Sequence, residues 1–154
     1  MLKMIRPKLY LDTTVPSAYF DDRAPDRQKL TRDFWHERLL SFIPIISTIV
    51  QLEIYGTPDA EKRLNMENLV KGFCLLKPDN ESDVLAQEYI IRGVFPDKYA
   101  SDANHVAIAV VNEINFLVSW NFRHLVKVNT RREVNLVNAL KGYGQIEIIA
   151  PPEL

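Results

Sequence analysis

Three acidic side chains stand where an α/β chain would place a metal: Asp12, Glu53 and Asp102. Asp12 ends the apolar run Leu9-Tyr10-Leu11. Glu53 lies in a short helical stretch after Ile43-Pro44-Ile45-Ile46, and Asp102 heads the helix that leads to Phe116-Leu117-Val118. Gathered in one pocket, three carboxylates repel one another and rise in pKa unless a cation neutralises them.

Each acid also has a plainer reading. An aspartate after a strand forms turns, which suffices for Asp12. One in the first turn of a helix gains ~0.3–1 kcal/mol from the macrodipole, which suffices for Asp102. Glu53 follows Val50 and Ile49 at i−3 and i−4, so it shares a face with two β-branched apolar residues. The alternative is an exposed glutamate on a helix too short for a clean face. Asn121, just past Phe116-Leu117-Val118-Ser119, is a good N-cap and equally an oxygen ligand for a hard cation. Magnesium and manganese prefer oxygen donors, so His105 and His124 read as hydrogen-bonded structural histidines. Arg123, Lys127, Arg131 and Arg132 follow the Asn121 turn closely. They form either a solvated helix face or a patch that tracks phosphates.

The elements that must position these residues are legible in outline. Lys8 to Leu11 reads as a strand between Pro7 and the turn Asp12-Thr13-Thr14. Ile43 to Ile46 reads as a buried parallel strand, with Phe73 to Leu76, Phe116 to Ser119 and Ile146 to Ile149 as further strands. Helical spacing covers Asp26 to Ser41, with Leu30, Phe34, Leu39 and Leu40 apolar, and then Asp59 to Val70, Glu81 to Arg92, Ser101 to Glu113 and Arg131 to Lys141. Thr48 with Gln51 predicts a capping box at the head of the Glu53 helix. Strands alternating with helices predict an α/β fold, its mainly parallel sheet covered on both faces, with ligands at the carboxyl ends of the strands. Asp12 and Asn121 fall on that edge.

The 154 residues carry no repeat or linker, so one domain over residues 1–154 is expected. A formal net charge of −1 excludes a polycation, and any polyanion must meet a local patch. The one cysteine, Cys74, excludes an internal disulfide and reads as a buried core residue. Tyr10, Tyr19, Phe20, Phe34 and Trp35 likewise read as core. No run nears the ~20 apolar residues that span a bilayer, and none forms a signal peptide. A soluble, cytoplasmic protein without membrane contact is the expectation.

The order of these motifs resembles that of PIN domains. Leu11-Asp12-Thr13-Thr14-Val15 is similar to their opening strand motif, and Ser47-Thr48-Ile49-Val50-Gln51-Leu52-Glu53 to their second. Asp102-Ala103-Asn104-His105-Val106-Ala107-Ile108-Ala109 resembles the third. Phe116-Leu117-Val118-Ser119-Trp120-Asn121 resembles the fourth, and Ile146 to Glu153 the closing strand and prolines. The resemblance covers nearly the whole chain, and its length points to VapC-type toxins and their relatives. It implies a three-layer α/β/α sandwich and a ribonuclease dependent on Mg²⁺ or Mn²⁺. It also implies a cognate antitoxin and a homodimer. Asp12, Glu53 and Asp102 carry over as the acidic metal site, with Asn121 in a fourth place that commonly holds aspartate and here lacks its charge. Two rivals follow. A phosphatase with Asp12 as nucleophile would carry a second aspartate where Thr14 stands. A PIN-like module without catalysis would bind protein or RNA instead.

Overall fold

Four apolar stretches close side by side into the heart of the molecule. The computed structural model describes residues 5–154. Its strands are β1 (Lys8–Leu11), β2 (Ile43–Ser47), β3 (Cys74–Leu76), β4 (Phe116–Val118) and β5 (Glu147–Ile149). They form one five-stranded sheet in the order β3-β2-β1-β4-β5. Every pairing is parallel, with Tyr10 of β1 between Ile45 and Leu117. The expected mainly parallel sheet is therefore wholly parallel. Pro44 is tolerated in β2 because Ile43 N–H already points at Pro7 of the β1 side. The missing Pro44 donor then faces the β3 side, where pairing starts only at Ile45.

Helices α1 (Thr14–Tyr19), α2 (Pro25–Glu37), α3 (Thr48–Tyr55) and α4 (Ala60–Leu69) carry the chain from β1 through β2 to β3. Helices α5 (Asn80–Ile91) and α6 (Ala100–Val111) bring it back to β4, and α7 (Val128–Leu140) takes it on to β5. The winding reverses at β1. With right-handed crossovers the first four helices cover one face and the last three the other. The contacts agree: α1 packs on α2 and α4, and α5 on α6 and α7. One hydrophobic core fills the space, with Leu9, Tyr10, Leu11, Leu117 and Ile148 fully buried.

Several details depart from the sequence reading. The chain after Asp12 is a helix, α1, whose Pro16 sits in the first turn, where no donor is lost. The long helix expected to Ser41 stops at Glu37, and a 3₁₀ turn, Leu39–Ser41, follows. Of its apolar set, Phe34 and Leu39 are buried but Leu30 and Leu40 are exposed. The cap of α3 is Ser47, which accepts from Val50 N–H, rather than the Thr48–Gln51 box. Tyr10 and Phe34 are core, whereas Tyr19, Phe20 and Trp35 are half-buried at its margin. Cys74 is exposed, because β3 is a three-residue edge strand. Its side chain lacks the second covering layer that β1 and β4 enjoy.

Asp79 caps α5 in a reciprocal box with Ser82: each side chain accepts from or receives the other's backbone, at 2.8 and 2.9 Å. Asp79→Ala is expected to cost about 1 kcal/mol, read as a lower urea midpoint with unchanged slope.

Candidate metal centre

Parallel strands place all their carboxyl ends on one edge, and the strand order reverses between β1 and β4, the place where such sheets commonly bind ligands. Asp12 is the first residue past β1 and is 3% exposed. Both its oxygens are engaged. The amide and hydroxyl of Thr14 donate to Oδ1, the amide at 3.1 Å, and the Ser119 hydroxyl donates to Oδ2 at 2.6 Å. The Thr14 contact makes an Asx turn that starts α1, so the turn-forming role foreseen for Asp12 is real and coexists with its position at the edge. Burial pushes the Asp12 carboxyl up to about 6, against the opposing pull of His105, Ser119 and Thr14, and Glu53 pushes in the same direction as burial. Among the described residues no Lys or Arg pairs with it.

Glu53 stands in the second turn of α3. Its side chain remains 41% exposed, yet Oε1 meets His105 Nε2 at 2.6 Å. Asp102 lies in the first turn of α6, half-buried, one helical turn before His105. Burial raises its pKa, His105 and His124 oppose the rise, and Glu53 adds to it. Glu53 therefore acts electrostatically on both aspartates, and the three carboxylates share one neighbourhood around His105. They do not touch. Among the described residues no three His, Cys, Asp or Glu side chains form a ready-made ligand cluster.

Asn121, half-buried, spends its side-chain oxygen on the His124 N–H at 2.9 Å. That bond closes a turn rather than capping a helix, since the next helix begins only at Val128 with Lys127 as its N-cap. The residue that reaches Asp12 from this loop is Ser119, fully buried, which also accepts from the Asn121 N–H at 2.9 Å. The sequence offered a faint signal for it: a hydroxyl at a strand end beside an acidic strand end. The loop is pinned by Trp120, whose backbone N–H donates to Thr14 Oγ1 and whose indole N–H donates to Thr31 on α2, both at 2.8 Å. Arg27 lies over the same indole, 5.0 Å from its centroid.

The basic residues divide. Arg123, Lys127 and Arg132 are exposed. Arg131 is half-buried, lies 3.7 Å from Glu153 and reaches the Ile148 carbonyl, so it ties α7 to the end of β5. His105 is buried and hydrogen-bonded, as read from the sequence. His124 stacks against Tyr99 with ring centroids 3.7 Å apart.

The donor set suits a hard cation. It is all oxygen and anionic, and among the described residues no Lys or Arg pairs with its most buried member. Mg²⁺ keeps several waters and commonly takes only one or two protein carboxylates directly, so the spread of the three acids is compatible with it.

No protein-family model matches the chain, and no curated protein matches its sequence. Its structure is similar to a chain of VapBC2 from Rickettsia felis, solved by crystallography bound to a DNA fragment from their promoter. The TM-score is 0.55 at 10% identity, over 92% of this chain and 97% of that one. At that identity the likeness is one of fold. Among the described residues, no helix is long and apolar enough to cross a membrane.

Proposed function

We propose that the chain is a Mg²⁺- or Mn²⁺-dependent endoribonuclease of the PIN type and the toxin of a toxin–antitoxin pair. The observation that carries this reading is Asp12: a carboxylate buried at the switch point of a parallel sheet, with no Lys or Arg paired to it among the described residues and with Glu53 close enough to act on its charge. The order of the four motifs and the fold likeness to VapBC2 support it.

In this reading Asp12 and Asp102 hold the cation, and Glu53 is either a further ligand or the group that orients the attacking water. A bound divalent ion supplies Lewis-acid stabilisation of phosphate charge and acidifies water. Glu53 Oε1 is held by His105, which would leave Oε2 to ligate the cation or to accept a hydrogen bond from the attacking water. Asn121 has its oxygen engaged by His124 N–H, so its amide nitrogen is the group left to donate to a phosphate oxygen. Arg123, Lys127 and Arg132 hold the RNA backbone against repulsion from the carboxylates, whereas Arg131 serves chiefly the fold. A small antitoxin that covers the acidic edge, and a homodimer, complete the proposal.

The test is cleavage of RNA by purified protein with added Mn²⁺. Asp12→Asn together with Asp102→Asn is expected to abolish cleavage while the fold persists by circular dichroism. Undiminished cleavage by the double variant would sink the proposal. A second reading, a PIN-like module that binds without cutting, is favoured by the neutral Asn121. Calorimetric titration separates the two, since Mn²⁺ binding with no cleavage of any RNA offered selects the module.

A further inference from the structure

A chain of short hydrogen bonds runs through the core beneath the acidic edge. Ser47 Oγ lies 2.7 Å from Tyr10 OH, Tyr10 OH 2.6 Å from His105 Nδ1, and His105 Nε2 2.6 Å from Glu53 Oε1. Ser47 and Tyr10 are fully buried and His105 is 2% exposed. The chain closes on itself, because Ser47 also caps α3, the helix that carries Glu53. Three elements meet in this loop: the β2–α3 junction, β1 and α6.

The sense of the bonds follows from the chemistry of the partners. An ionised carboxylate only accepts, so Nε2 must carry the hydrogen toward Glu53. In the neutral ring Nδ1 then accepts from the Tyr10 hydroxyl, which accepts in turn from Ser47. A glutamate on a short, exposed helix ordinarily samples many rotamers. Here one oxygen is fixed by an imidazole that cannot turn without breaking a bond in the core.

We infer that His105, braced by Tyr10 and Ser47, is a positioning residue that fixes the Glu53 carboxylate for the reaction, a role that rests on the nuclease reading above. Outer partners of metal-site groups commonly govern metal affinity or activity by 10–100-fold. Tyr10 does not reach the site itself, so its effect passes through His105, whereas Ser47 also acts through its cap on α3.

The experiment compares wild type, His105→Leu, His105→Gln and Tyr10→Phe by calorimetric Mn²⁺ titration and by kcat and KM on single-stranded RNA. His105→Leu is expected to weaken Mn²⁺ binding and lower kcat, each by about 10–100-fold, with KM for RNA retained. His105→Gln places an amide nitrogen near the Nε2 position and is expected to recover most of both losses. Tyr10→Phe should fall between them. Nitrogen-15 spectra of the metal-free wild type should report the Nε2–H tautomer. Mn²⁺ affinity and kcat unchanged in His105→Leu overturn the inference, as does a glutamine variant no better than the leucine one. If His105→Leu fails to fold, His105→Gln and Tyr10→Phe decide: wild-type behaviour of Tyr10→Phe together with unrecovered loss in His105→Gln overturns it. A wild type that neither binds Mn²⁺ nor cuts RNA defeats the nuclease reading itself, and the inference with it.

Discussion

Asp12→Asn is expected to abolish cleavage and, in metal-free buffer near neutral pH, to make the protein more stable. The folded carboxyl is pushed up to about 6 from 3.8, chiefly by burial. A raised carboxylate pKa means that the fold favours the protonated form. Asp12 therefore contributes its full stability below about 4 and loses it as pH rises through about 6. At about 1.4 kcal/mol per pKa unit, the cost of the buried charge above neutrality is about 3 kcal/mol. Asparagine removes the charge and keeps the contacts: its oxygen can accept from Thr14, and its nitrogen can donate to the Ser119 hydroxyl. Urea unfolding in EDTA from pH 4 to pH 8 checks this. The variant should match the wild type near pH 4 and exceed it by about 2–3 kcal/mol near pH 8. Added Mn²⁺ should raise the wild-type midpoint far more than the variant's, since only a ligand bound to the folded form stabilises it. A variant less stable than wild type at pH 8 would show that the hydrogen bonds outweigh desolvation.

Ser119→Ala should have the opposite effect. The Ser119 hydroxyl is the only donor to Asp12 Oδ2 among the described residues and the acceptor for the Asn121 N–H. Its loss leaves a buried carboxylate oxygen and a backbone donor without partners, at a cost of about 2–3 kcal/mol. The two halves differ in pH dependence. The Asn121 share persists at every pH. The Asp12 share belongs to the ionised form, because losing a donor raises the folded pKa further. The deficit against wild type is therefore largest above pH 7 and shrinks as pH falls through about 6 toward 4. A deficit that stayed constant across that range would assign the whole effect to the backbone donor.

Local patterns made most of the sheet readable. The runs at β1, β2, β4 and β5 are apolar on both faces because helices cover both faces, and each was placed to within about a residue. Cys74 misled because burial depends on a strand's place in the sheet, and β3 turned out to lie at the edge. Helix α1 was hidden by Asp12-Thr13-Thr14, which read as a turn, and an Asx turn does lead into it. The three acids can be picked out as candidates from type and order. What surrounds them cannot, since Ser119 and Asp12 are 107 residues apart and His105 and Glu53 are 52. Such pairings exist only once the fold has been specified.

That separation bears on the life of the chain during synthesis. β4 lies between β1 and β5, with Asp12 N–H bonded to Val118 and Ser119 N–H bonded to Ile149. A chain halted before residue 116 presents β1 with one bare side, and its Asp12 has no Ser119. Emergence from the ribosome in order, N-terminus first, leaves the acidic edge unassembled until β4 has followed β1. Until β4 has emerged, a nascent chain with this topology lacks the Ser119 hydroxyl that holds Asp12.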